Sequence, residues 1–263
     1  MDTKFTAANF LRISGEALNF QLASLYPVNF QNDPERINLL FLNHDRNFST
    51  FLTIRHLVEH ERVADIYVLS RSIFESIISM GIFAKCLVED DLTRYQEFQY
   101  IEIYKMYTHL KKLGLESLSG VSESDAQTVM ERRLAYINKW GKGESSWTGK
   151  SLEANVKMVD QAYSPTCNES HFYEYLYCQV YRKGSQSTHS SFAGLSKGIS
   201  VETMIMPGVV ANRFTCNEGN LIFSCFHSFL VFLSSVRFFG MATGKMDCET
   251  YFQKMARYII SEG

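Results

Sequence analysis

Proline is scarce in this chain, four in 263 residues, and glycine numbers only 15. So few turn-formers disfavour sandwiches and barrels, which need many tight turns. Charge of one sign is also missing. Lys plus Arg total 26 against 28 for Asp plus Glu, a net charge of −2. That argues against coating nucleic acid through bulk charge and leaves room for a local basic site. The six cysteines, Cys86, Cys167, Cys178, Cys216, Cys225 and Cys248, include no C-x-x-C pair. A chain this long needs no disulfide framework, so reduced thiols and a cytoplasmic location are expected. Met1-Asp2-Thr3-Lys4-Phe5 has no basic stretch followed by an apolar run, so no signal peptide is expected. The most apolar segment, Leu221 to Val236, is interrupted by His227 and serines and closed by Arg237. It is shorter than the roughly 20 residues that span a bilayer, which predicts a buried core helix and no membrane. A glycine-rich phosphate loop, a G-x-S-x-G elbow and a C-x-x-C zinc pair are all missing. P-loop enzymes, hydrolases of that type and zinc ribbons therefore lack support.

What is present is helical periodicity. It predicts helices over Phe5 to Leu25, from Pro34 towards His60 with Asp33 as cap, and over Ala64 to Leu87. Further helices are expected over Asp90 to Leu113, stopped by Gly114, and over Ser122 to Trp140. The second of these opens on Ser122 with Asp125 three residues on, a capping-box variant. A shorter helix starts at Ser151, with Pro165 ending the connection after it, and an aromatic one runs from Glu169 to about His189. Asn217 to Met241 and Asp247 to Ile260 complete the pattern. Thr203 to Phe214 is ambiguous, because Met204-Ile205-Met206 suits a short strand before Pro207. There is no internal repeat. The expectation is an all-α fold, residues 1–263 forming one helical bundle of about eight or nine helices. The best hinge is Gly141 to Gly149.

Two groups of polar residues stand out. On the helix Ala64 to Leu87, Ile66, Leu69, Ile73, Ile77 and Met80 form one apolar stripe. Tyr67, Phe74, Ile78 and Ile82 form a second. Arg71 and Glu75 fall one turn apart within the second stripe. Burying a lone charge is costly, so they should pair with each other or line a polar pocket. The second group follows Tyr173, Tyr177 and Tyr181, an aromatic ridge suited to a core or to base stacking. If the helix persists past Gly184, then Arg182, Ser185 and His189 share one face. An Arg and a His can perform phosphodiester chemistry without metal. The His moves a proton near neutral pH and the Arg neutralises charge building on phosphate oxygens.

These residues carry two resemblances. Leu69-Ser70-Arg71-Ser72-Ile73-Phe74-Glu75 resembles the Arg-x3-Glu signature of an uncharacterised, mostly bacterial, all-helical family. Ser146-Trp147-Thr148-Gly149-Lys150-Ser151 is similar to that family's Trp-containing turn. Tyr181, Ser185 and His189 are similar to its later positions. The blocks keep order and spacing over roughly residues 40 to 240. That resemblance implies a fold and no activity. A more distant resemblance is to HEPN proteins, helical bundles that cleave RNA without metal and often serve as toxins or antiphage effectors. Arg182 and His189 correspond to their Arg and His, and Lys183 stands where Asn, Asp or His is typical. The HEPN resemblance implies an RNA substrate, a homodimer that unites two motifs, and a partner protein of a toxin or defence system. It also implies products ending in a 2′,3′-cyclic phosphate and a 5′-hydroxyl. His189 would be general base or acid and Arg182 would stabilise the transition state. Arg71, Glu75 and Ser185 would position them or the substrate.

Two other readings stay open. The same pocket suits a non-enzymatic helical binding module for a nucleotide or a protein partner. His56-Leu57-Val58-Glu59-His60 fits the H-x-x-E-H pattern of a zinc hydrolase, with Glu59 as base and Glu75 or His44 as a guessed third ligand. The bland alternative for that stretch is a solvated helix end beside Arg55, Glu61 and Arg62.

Overall fold

The computed structural model describes residues 6–28, 33–141, 146–163, 171–189, 199–206 and 209–262. The helices are α1 (Ala7–Leu25), α2 (Pro34–Glu59), α3 (Val63–Ala84), α4 (Asp91–Lys112), α5 (Glu123–Trp140) and α6 (Leu152–Tyr163). After them come α7 (Phe172–Leu176), a π-helical stretch Tyr177–Arg182, α8 (Lys183–Thr188), α9 (Glu218–Ala242) and α10 (Met246–Glu262). The all-α expectation holds for the bulk of the chain. The ambiguous segment is a β-hairpin, β1 (Ile199–Met206) antiparallel to β2 (Val209–Cys216), with Met206 opposite Val209. Pro165, and residues 142–145 of the 141–149 stretch expected to hinge, lie outside the described residues.

The caps follow the sequence signals. Asp33 accepts a hydrogen bond from the Arg36 N–H at 3.2 Å. Ser122 accepts from the Asp125 N–H at 3.1 Å. Each satisfies a donor that the first helical turn leaves open. Gly114 follows α4 with φ +69°, a conformation that costs glycine little.

The chain divides into two compact units, Met1–Lys85 with Val159–Gly263, and Cys86–Met158. In the second unit α4 packs on α5. The Trp147 turn also belongs here. Trp147 is buried, meets Tyr95 edge-on at 5.5 Å, and its carbonyl accepts from the Tyr136 hydroxyl at 3.1 Å.

In the first unit α9 is the core helix, packed against α1, α2, α3 and α10. It is apolar on nearly every side, as a helix surrounded by others must be. Phe51 of α2 stacks on Phe232 at 4.1 Å. Both α3 and α9 are long and apolar enough to cross a membrane, but 61% and 83% of their apolar windows are buried inside the protein. Neighbouring helices supply the apolar contacts that lipid would otherwise supply. Both apolar stripes of α3 are covered, with Leu69 alone of their members part-exposed.

Several polar groups in this core find partners within it, although His44 Nε2 and Gln21 Oε1 have none among the described residues. Ser235 lies 2.9 Å from His44 Nδ1 and accepts from the Asn47 amide at 3.1 Å. His44 is wholly buried and stacks on Phe239 at 5.0 Å. Arg237, also wholly buried, forms a bidentate pair with Glu249 at 2.6 and 3.0 Å and donates to the Tyr173 hydroxyl at 3.0 Å. Gly240 lets α9 and α10 meet, since a Cβ there would lie 2.3 Å from that of Cys248.

Candidate functional site

From Phe172 to Thr188 the chain is helical without a break, passing from α through the π-helical stretch and back. Gly184 does not interrupt it. A Cβ at Gly184 would sit 2.6 Å from the Tyr67 carbonyl oxygen and 2.7 Å from Arg71 Cβ. Glycine is therefore what lets α8 touch the backbone of α3. The π-helical stretch is a wider turn that absorbs an extra residue, a feature frequent at functional positions.

On this scaffold the first candidate pair forms as expected. Arg71 Nε donates to Glu75 Oε1 at 2.9 Å. The two are not buried, however, with side chains 22% and 46% exposed. They sit on the rim beside the second stripe, where water shares the solvation of the charges, so no closed polar pocket is needed. Arg71 also lies over the Tyr181 ring at 4.8 Å. Tyr181 stacks on Tyr177 at 5.2 Å and 12°, and Arg182 lies over Tyr177 at 5.5 Å. The result is a ladder in the order Arg71, Tyr181, Tyr177, Arg182. Each cation rests on the negative face of a ring. Of the aromatic ridge, Tyr173 is core and Tyr177 and Tyr181 are half-exposed.

The second group keeps its shared face. Arg182, Ser185 and His189 fall within about 60° around the helix. Arg182 and His189 are exposed and Ser185 is half-buried. Gly184, which marks the side facing α3, is about 130° away from the middle of this group. The face therefore points away from α3, and this separates it from Arg71 and Glu75. Helix direction separates them further. Gly184 meets Tyr67 and Arg71, Tyr181 meets Arg71 and Phe74, and Tyr177 meets Phe74. The two helices run antiparallel, so His189 and Glu75 lie at opposite ends of the contact, about 16 Å apart along it at 1.5 Å per residue. The five residues do not converge on one site within the chain. Arg71 and Glu75 brace the tyrosines, and Arg182, Ser185 and His189 form a separate outward face. Among the described residues, no side chain forms a hydrogen bond or ion pair with His189.

Lys183, in the variable polar position, turns inward. Its ammonium lies 3.9 Å from the centre of the Phe223 ring, and burial lowers its pKa. Nearby is a pair that sequence reading missed. His227 Nδ1 bonds to the Phe223 carbonyl at 2.7 Å, and its Nε2 meets the Tyr175 hydroxyl at 2.8 Å. The carbonyl requires the proton on Nδ1, so Tyr175 donates to Nε2. Burial pulls the His227 pKa down to about 4, keeping the ring neutral. Periodicity showed His227 only as a polar break in an apolar run. Its partner is 52 residues away in sequence.

The H-x-x-E-H stretch ends α2 in solvent. His56 Nδ1 lies 3.4 Å from Glu59 Oε2, and the His56 and His60 rings meet edge-on at 4.5 Å. Neither guessed third ligand is near. His44 is twelve residues back along the same helix, about 18 Å away, and Glu75 is held by Arg71. Concavities lined by described residues include one of about 620 Å³ at Glu249, Thr250, Gln253, Lys254 and Arg257, and one of about 460 Å³ at residues between Tyr107 and Ser122. Neither includes a residue of the outward face.

No curated protein and no solved structure matches the chain. One family model matches residues 38–203, more than half the chain, and takes in α3, the Trp147 turn and all of α8. On that match the chain belongs to DUF5677, a family of unknown function.

Proposed function

We propose that this protein acts on RNA through the face formed by Arg182, Ser185 and His189, cleaving phosphodiester bonds without metal. The observation that carries the reading is the shared, outward placement of these three side chains along α8 and the residues that flank it, Arg182 before and His189 after. The HEPN resemblance of Arg182 and His189 adds to it. In the reaction the ribose 2′-hydroxyl attacks phosphorus and the bond to the 5′-oxygen breaks. A 2′,3′-cyclic phosphate and a 5′-hydroxyl result. His189 takes the proton from the 2′-hydroxyl or gives one to the leaving oxygen. Arg182 neutralises the charge that builds on the non-bridging oxygens, and Ser185 donates a hydrogen bond to the phosphate. Pairing two such faces in a homodimer supplies both a base and an acid. The open face suits a polymer, which needs no enclosing pocket.

A second reading is a non-enzymatic RNA-binding module. It is favoured by the lack of a side-chain partner for His189 among the described residues. A proton-transfer histidine usually has one, which holds its ring and tautomer. The deciding experiment incubates purified protein with labelled total RNA and tRNA in EDTA, beside His189→Ala and Arg71→Ala. Cleavage by wild type and Arg71→Ala, lost in His189→Ala, supports the nuclease and the separation of the two groups. RNA that stays intact but is shifted on a native gel favours the binding module. Intact RNA without a shift refutes both.

A further inference from the structure

Away from that face, α6 and α7 bring three metal-ligand types together. Asp160 comes from α6, His171 immediately precedes α7, and Glu174 lies in α7. One donor atom from each, the His171 nitrogen and a carboxylate oxygen of Asp160 and of Glu174, lies within 4.8 Å of the other two. His171 Nδ1 and Glu174 Oε1 are already 3.2 Å apart. Ligand bonds of about 2.0–2.1 Å in a tetrahedral zinc site place neighbouring donors about 3.3 Å apart. That pair, now joined by a hydrogen bond, already has this separation, and an ion would draw in the Asp160 oxygen from within 4.8 Å.

Asp160 is prepared for such a role. It is only 4% exposed, and its two oxygens accept from the Tyr173 N–H at 3.1 Å and the Glu174 N–H at 3.3 Å. Each oxygen keeps a second lone pair, and the two backbone donors fix the direction in which it points. Two carboxylates approach one another here, and among the described residues neither is ion-paired with a Lys or an Arg. A divalent cation would balance them. Glu174 and His171 are open to solvent, which gives an ion a way in.

We propose that Asp160, His171 and Glu174 bind a divalent transition-metal ion of the zinc type, with water in the fourth position. One imidazole and two carboxylates, without sulfur, suit zinc or manganese better than a soft ion such as Cu(I). The ion ties α6 to the start of α7 and steadies Tyr173, whose hydroxyl accepts from the buried Arg237. This site is separate from His56, Glu59 and His60, and it is independent of the RNA reading, whose chemistry needs no metal.

The test uses the full chain, stripped with EDTA and desalted, then titrated with zinc chloride by calorimetry and followed by thermal melting. Expected are one equivalent of zinc per chain and a raised Tm, because an ion that binds only the folded state stabilises it. His171→Ala and Glu174→Gln should each weaken binding by at least about tenfold, with far-UV circular dichroism unchanged, and His56→Ala should bind as wild type does. Zinc binding that survives both His171→Ala and Glu174→Gln, binding lost instead in His56→Ala, or no saturable binding at all would overturn the site. RNA cleavage in EDTA, measured on His171→Ala, stands or falls separately.

Discussion

Replacing Glu249 with Ala removes the carboxylate that balances the Arg237 guanidinium in the interior of the first unit. Arg237 has no solvent exposure, while the Glu249 side chain is 16% exposed. The guanidinium is surrounded by Tyr163, Phe238 and Phe252, whose ring centres lie 5.1, 5.9 and 4.7 Å away. The substitution removes both charge-assisted bonds to the carboxylate, while the bond to the Tyr173 hydroxyl stays. Removing one partner of a buried pair costs about 3–5 kcal/mol, because an uncompensated charge remains. For a chain of this size, Tm should fall by about 6–20 °C. The pair itself contributes far less than that loss. The double variant Arg237→Met with Glu249→Leu fills similar volume without charge, so it should recover most of the stability. Urea unfolding followed by circular dichroism, with thermal melts alongside, reads both variants. A cost below about 1 kcal/mol for Glu249→Ala would refute the reasoning. So would a double variant no more stable than the single.

Acid should destabilise the protein in a window set by two buried histidines. Burial depresses the pKa of His44 to about 3 and of His227 to about 4, from an ordinary 6.5. The unfolded chain therefore binds more protons below pH 6.5. Their contribution is complete above that pH and is lost as pH falls towards 4 and then 3. Each histidine should add a slope of about 1.4 kcal/mol per pH unit within its window, and a urea midpoint that stays level from pH 7 to 5 would contradict this. Gly184→Ala should destabilise by about 1–3 kcal/mol, because the new methyl meets the Tyr67 carbonyl rather than a yielding side chain. A neutral or stabilising result in the same unfolding assay would show that α8 can move off α3 at little cost.

The helices were legible because their signals are local. The Asp33 and Ser122 caps, the turn at Gly114 and the double stripe of α3 each occupy a few consecutive turns. The shared face of Arg182, Ser185 and His189 was legible for the same reason, since one helix fixes it. The hairpin was only half visible, as Met204-Ile205-Met206, because β pairing depends on a second strand. The composite of Arg71, Glu75 and His189 was not legible, and it does not form. Periodicity says that a helix has a face without saying which neighbour that face meets or in which direction the neighbour runs.

Arg237 makes the same point from inside the core. In sequence it closes an apolar run within the helix expected over Asn217 to Met241. In the fold α9 continues to Ala242, and the arginine is buried against Glu249 and Tyr173. Composition, capping and helical period, all short-range properties, determined that this chain is helical and where most helices begin and end. Tertiary structure alone decided that Arg237 pairs with Glu249, that Gly184 is a contact rather than a break, and that Asp160, His171 and Glu174 meet. Those outcomes depend on side chains from separate helices approaching within a few ångströms, and a linear order of residues does not encode such distances locally.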